Sequence, residues 1–143
     1  MKHFSILVAL AVLVGGAVIL STNTWPGSQA VAQTPPDADA VPVDDALFAT
    51  GESEFAICAA CHGASGEGGV GPAFADNAEL ADAHLVIETI LFGKDVMPAF
   101  GDQFDDEQVA AAATYIRNSW GNEFGGVAVD DVASIRAAGA PAQ

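Results

Sequence analysis

Residues 58–62 read CAACH, and Cys58 and Cys61 are the only two cysteines in a chain of 143 residues. Two alanines separate the thiols, and His62 follows the second thiol directly. A pair with this spacing can act as a dithiol redox switch or supply part of a zinc site. With a histidine directly behind it, the pair can also attach haem covalently. The remainder of the sequence has to distinguish these three chemistries.

The zinc and dithiol interpretations each lack a feature that they need. A structural zinc site takes four ligands, whereas Cys58, Cys61 and His62 supply three and His84 is the one further histidine beyond residue 3. A thioredoxin-like dithiol sits among alternating strands and helices. Here the pattern predicts helices joined by glycine-rich loops, and residues 63–71 contain five glycines. Haem attachment is therefore the interpretation that the motif favours.

Hydrophobic periodicity predicts four helices and no strand. The helices are expected at about 44–58, 82–92 and 105–121, with a last short one from 130 or 131. The third has the clearest start, because Asp105 is a good N-cap and Gln108 stands three residues later. Its apolar residues then recur at spacings of three and four as far as Trp120, which predicts one buried face.

Met97 is the only methionine after Met1 and lies in the loop VMPAFG, between the second and third helices. A lone methionine before a proline is more often simple core filling. Its place, well after His62 and in a loop that Pro98 stiffens, allows it to cross to the other face of a haem. A thioether is a common second axial ligand and raises the reduction potential.

Together these segments resemble the class I cytochromes c over about residues 44–122. The resemblance rests on CAACHG, on Gly71-Pro72, on FGKDVMPAFG and on DEQVAAAATYIRNSW, in this order. It implies a small all-α fold of about four short helices wrapped around one covalently bound haem c. Cys58 and Cys61 would form the thioethers, His62 and Met97 would bind the iron, and the Pro72 carbonyl would accept a hydrogen bond from the His62 ring.

The resemblance also implies a helix crossing at Gly51, where a missing side chain permits close approach of the helix that carries Tyr115. One departure concerns the first helix. The family pattern places an aromatic residue four positions before the first cysteine, where this chain has Glu54, and Phe55 stands one residue later. Either the helix ends one residue earlier or its face is rotated.

The expected function is single-electron transfer outside the cytoplasm, in a respiratory or dehydrogenase chain and without enzymatic activity. One alternative is a peroxidase-like enzyme or ligand binder with an open iron site, and His84 could replace Met97 as a ligand. Another is a cytochrome subunit of a membrane dehydrogenase or oxidase complex. Electron donors and acceptors are the expected partners in each electron-transfer case.

Residues 1–32 predict a signal peptide or an N-terminal membrane anchor, since an apolar run at 4–20 follows a short basic start. Both interpretations place the rest of the chain outside the cytoplasm. Residues 33–43, QTPPDADAVPV, predict a linker. The domain is expected at 44–143, with a short C-terminal extension from about 123.

The formal net charge is −15, from nineteen acidic and four basic residues. Beyond Lys2 the basic residues are Lys94, Arg117 and Arg136, which is too few for phosphate contacts and excludes nucleic acid as a partner. The acids are spread along the chain, which favours a solvated surface such as high salt selects. They could also form a docking face, so the expected redox partner carries a basic or neutral docking patch.

Overall fold

The computed structural model describes residues 41–141. Helix α1 spans Asp45–His62, α2 spans Ala83–Phe92, α3 spans Asp106–Arg117 and α4 spans Val129–Ala138, with a 3-10 helix at Ala78–Ala81 before α2. Among these residues, extended pairing is limited to isolated bridges between 41 and 126 and between 94 and 97. The predicted all-α fold is confirmed.

Three of the four helices begin at an aspartate that caps the first turn. Asp44 accepts a hydrogen bond from the Leu47 amide, and Asp82 and Asp105 cap α2 and α3 in the same way. At α3 the Gln108 side chain also reaches back to the Asp105 amide, at 3.1 Å. The capping box predicted from the sequence is therefore present, and it fixes where α3 starts.

Two predicted helix ends were wrong. Helix α1 continues past Cys58 to His62, because no residue in 58–62 opposes a helix and Gly63, at φ 80°, is the first that ends it. Helix α3 ends at Arg117 rather than Gly121. Its last carbonyls are taken by side chains that follow: Asn118 Nδ2 donates to Thr114 O and Ser119 Oγ donates to Tyr115 O, both at 2.7 Å.

Helices α1 and α3 cross in close contact at Gly51. A Cβ atom added to Gly51 would lie 2.0 Å from the carbonyl oxygen of Ala111, so only glycine fits at this crossing. Phe55, one turn along the same face of α1, is buried against Trp120. Glu54 instead accepts a hydrogen bond from Gln108 at 2.9 Å. The displaced aromatic thus lies on the Gly51 face, and α1 is longer than expected rather than shorter.

The core surrounds α3, with α1, α2 and α4 packed around it, and it includes residues from the C-terminal part of the chain. Val127 and Val132 are fully enclosed there. None of the helices formed by residues 41–141 is both long and apolar enough to cross a membrane. The predictions for residues 1–32, and for most of the linker, fall outside the described residues.

Candidate cofactor-binding site

A cavity of about 700 Å³ opens beside the C-terminal end of α1. This volume lies within the range of small-molecule and cofactor sites. All five residues singled out in the sequence line it: Cys58, Cys61, His62, Pro72 and Met97. Most of the remaining wall is apolar and includes Leu80, Val86, Ile90, Phe100 and Ile116. The chain therefore brings thiols, imidazole and thioether into one mostly apolar space.

His62 is the last residue of α1 and is held in a fixed orientation. Its Nδ1 lies 2.8 Å from the Pro72 carbonyl oxygen, and its ring stacks on Phe74 with ring centroids 4.1 Å apart. A carbonyl can only accept, so Nδ1 donates in this bond, and in the neutral imidazole Nε2 then keeps its lone pair. The Gly71 backbone packs against the ring, because a Cβ there would lie 2.5 Å from His62 Cε1. His62 can therefore offer Nε2 to a metal.

The two thiols lie one helical turn apart on α1, which places both on one face. Burial raises the pKa of the Cys58 thiol to about 11, and charges on Cys61 and Glu54 add smaller contributions. The negative end of the α1 dipole also disfavours a thiolate there. Redox-active cysteine pairs have the opposite property, a lowered thiol pKa. This environment disfavours the dithiol switch and is compatible with thiols used as covalent tethers.

Met97 reaches the cavity from the 94–98 loop, on a different element from His62. The loop is closed by paired backbone hydrogen bonds, from Met97 N to Lys94 O at 2.8 Å and from Lys94 N to Met97 O at 3.2 Å. Two further bonds tie the chain just after it to α2, from Phe100 N to Ile90 O and from Gly101 N to Leu91 O. The methionine thus sits on a short, braced loop.

His84, the alternative ligand, and the aromatic residues Tyr115 and Trp120 all lie outside the cavity wall. The His84 side chain is 65% exposed and its Nδ1 is 3.5 Å from Glu88, which does not favour His84 as a ligand in place of Met97. Tyr115 and Trp120 pack around Phe55, with ring centroids 5.5 Å and 4.8 Å from it. These two aromatics are therefore parts of the packing between α1 and α3.

The exposed apolar side chains at the cavity mouth were not predicted from the sequence. Four of the five large exposed hydrophobic side chains in residues 41–141 line this cavity, and we call them the apolar rim: Ile57, Val70, Leu85 and Val96. Val70 is 78% exposed and Val96 is 81% exposed. Val70 and Val96 lie in predicted loops, where most residues are polar. An apolar residue in such a loop was the feature of the sequence that could have identified them. Exposed apolar side chains at a cavity mouth can contact a group bound in the cavity or another protein.

Comparison with known proteins gives a family and relatives. Residues 46–116 match the family described as cytochrome C oxidase, cbb3-type, subunit III. The fructose dehydrogenase cytochrome subunit of Gluconobacter japonicus is 33% identical, over 59% of this chain and 21% of that subunit. The crystal structure of cytochrome CL from the marine methylotroph Methylophaga aminisulfidivorans superposes with a TM-score of 0.49 and 28% identity, over 55% of this chain and 57% of that one. The match thus spans about a fifth of the curated relative's length.

Proposed function

The chain belongs to the class I cytochromes c, electron-transfer proteins with covalently bound haem c, and from this premise we propose that the described cavity is its haem site. Cys58 and Cys61 would tether the haem covalently, and His62 and Met97 would bind its iron. Bound haem c would supply one-electron redox chemistry there, accepting an electron from a donor protein and passing it to an acceptor. The observation that carries the proposal is the convergence of these four residues, with Pro72, on one cavity.

Each of the chain's own groups has a distinct task. The thiols of α1 fix the cofactor relative to His62, since all three belong to the last two turns of one helix. The Pro72 carbonyl fixes the plane of the His62 ring and raises its basicity as a ligand. Met97, a soft ligand on a braced loop, favours the reduced state. If both His62 and Met97 bind the iron, small molecules would find no open site on it, which favours electron transfer over enzymatic chemistry.

The apolar rim supports docking of the redox partner at the cavity mouth. Exposed apolar groups at an opening can pack against an apolar patch on another protein. Within the described residues, Arg117 and Arg136 are engaged in bonds to other residues, so Lys94 is the basic side chain left exposed near the mouth. Acidic residues such as Asp95 lie beside it. A partner patch with many carboxylates would be repelled, so we propose an apolar patch with basic or neutral surroundings.

The proposed place of action is outside the cytoplasm, where cytochromes of this type typically work. Residues 1–32 would deliver the domain there, either as a cleaved signal or as a retained anchor. The similarity to a fructose dehydrogenase cytochrome subunit favours a second candidate, in which this domain serves as the cytochrome subunit of a dehydrogenase complex. The haem site is the same in both cases, and the partner differs. Size-exclusion chromatography of gently solubilised native membranes distinguishes them, because a subunit elutes with a larger assembly.

The ligand assignment is tested by Met97→Ala, with Val96→Ala as the matched control in the same loop. The Met97 variant should keep covalent haem, show a lower reduction potential and bind carbon monoxide, because the second axial position is then open. The Val96 variant should keep the wild-type potential and bind no carbon monoxide. An unchanged potential together with no carbon monoxide binding in the Met97 variant would remove Met97 from the site.

A further inference from the structure

Arg117, the last residue of α3, is a buried cation held by neutral groups. Its side chain is 5% exposed. The guanidinium donates to five backbone carbonyl oxygens, those of Leu80 (2.9 Å), Ala81 (3.2 Å), Phe124 (2.6 Å), Gly125 (2.9 Å) and Gly126 (3.1 Å). Within residues 41–141 the side-chain ion pairs closer than 4.0 Å are His84–Glu88 and Arg136–Asp106. Arg117 therefore has no carboxylate in direct contact.

Burying a charge without a counter-ion is costly. The burial lowers the pKa of Arg117, an effect that the nearby Asp82 carboxylate opposes, but a guanidinium stays protonated at any pH the protein experiences. The carbonyl dipoles satisfy its hydrogens and leave a full positive charge inside the fold. This charge lies next to the cavity wall, because Leu80, which binds it, and Ile116, its chain neighbour, both line the cavity.

We propose that Arg117 is a positioning residue for the haem, and that its buried charge raises the reduction potential of the site. The inference rests on the proposed function, since it needs haem in the cavity. Reduction adds one electron to the cavity, and a fixed cation nearby stabilises that added charge. The effect is strong where the surroundings are poorly solvated. The acidic side chains at the surface act in the opposite direction, but water and salt screen them.

Arg117 also holds the wall in place. Its bonds to Leu80 and Ala81 attach the 3-10 helix to the end of α3, and its bonds to 124–126 attach the segment that leads into α4. Loss of the side chain would therefore affect both stability and potential. A charge effect and a geometric effect must be separated, and the choice of replacement does this.

Three variants of the full-length holo-protein test the inference: Arg117→Gln, Arg117→Lys and, as control, Arg136→Gln. The control removes the same charge from an ion pair with Asp106 in which both side chains are 31% exposed. Arg117→Gln should shift the equilibrium for reduction against a fixed reference couple about tenfold towards the oxidised state, which corresponds to about 59 mV. Arg136→Gln should shift it about twofold or less, because solvent screens that site. Arg117→Lys should keep most of the wild-type potential at pH 6.

In the Arg117→Lys variant the charge of the new side chain can also be removed by raising the pH. Burial lowers the pKa of a lysine, so its potential should fall towards that of Arg117→Gln as the pH rises to 10.5, more steeply than in the wild type. If Arg117→Gln yields no folded protein, this pH profile decides. A profile parallel to the wild type overturns the inference. So does a holo Arg117→Gln protein with wild-type potential, or a lysine variant whose potential at pH 6 is already as low as that of the glutamine variant.

The absorption spectrum of the wild-type protein distinguishes failure of the proposed function from failure of the inference about Arg117. A wild-type protein without covalent haem overturns the proposed function and this inference together. A wild-type protein with haem, combined with any of the overturning results for Arg117, leaves the electron-carrier function standing and removes Arg117 from it.

Discussion

Replacing Gly71 with alanine should disturb the His62 ring directly. The added methyl would lie 2.5 Å from Cε1, 2.8 Å from Nδ1 and 2.9 Å from Nε2 of that ring. The ring cannot easily move away, because Pro72 holds Nδ1 at 2.8 Å and Phe74 stacks on it. Either the ring or the 71–72 backbone must move by roughly 1 Å or more to restore ordinary contact distances of about 3.5–4.0 Å.

The cost follows from two losses. Overpacking of this kind costs about 1–3 kcal/mol, and loss of the hydrogen bond between His62 and Pro72 costs about 0.5–1.5 kcal/mol. The expected destabilisation is therefore about 1.5–4.5 kcal/mol, less than the 5–15 kcal/mol of free energy that typically stabilises a domain. The variant should still fold. Because the Pro72 bond raises the basicity of the imidazole, its loss should also raise the reduction potential.

Gly51→Ala is the matched control, since it adds the same methyl group at a position that is also closely packed but does not contact the His62 ring. There the methyl would meet Ala111 O at 2.0 Å, in the contact between α1 and α3. Denaturant unfolding followed by circular dichroism should show both variants destabilised, while potentiometry should show a changed potential in Gly71→Ala alone. The reasoning is refuted if Gly71→Ala keeps both the wild-type stability and the wild-type potential. It is refuted equally if Gly51→Ala changes the potential as much.

The parts of the fold that the sequence predicted are those set by neighbours in the chain. The start of α3 depends on Asp105 and Gln108, three residues apart, and local hydrogen bonds decide it. The thiols and His62 are adjacent in sequence and share one helix. The end of α3 is also set by neighbouring residues, but the sequence pattern that marks it is weaker than the capping box at its start. Asn118 and Ser119 terminate the helix with their side chains, whereas the apolar spacing continues to Trp120 and suggested a longer helix.

Contacts between distant segments could not be predicted in the same way. The bond from Arg117 to Leu80 spans 37 residues, and nothing in either segment indicates the other. The apolar rim likewise draws its four members from α1, α2 and two separate loops. Their common position appears only when the chain is folded around the cavity. The sequence motifs thus predicted the ligands proposed here. The residues that form the wall and the mouth of the cavity could be identified only from the structure.

The remaining predictions concern the tethers and the acidic surface. Cys58→Ser combined with Cys61→Ser should give a largely unfolded chain, because without its cofactor the apolar side chains that line the cavity have nothing to pack against; circular dichroism showing normal helix content would contradict this. The surface prediction rests on the net charge of −15. Exposed like charges repel one another, and salt screens them over about 8–10 Å at moderate ionic strength. Stability should therefore rise from dilute to molar salt. The apolar rim does not depend on charge, so the rate of reduction by the partner, measured by stopped flow over the same range, should stay level or rise. A steep fall in that rate would refute this expectation, because only long-range attraction between the acidic surface and a basic partner is lost on screening.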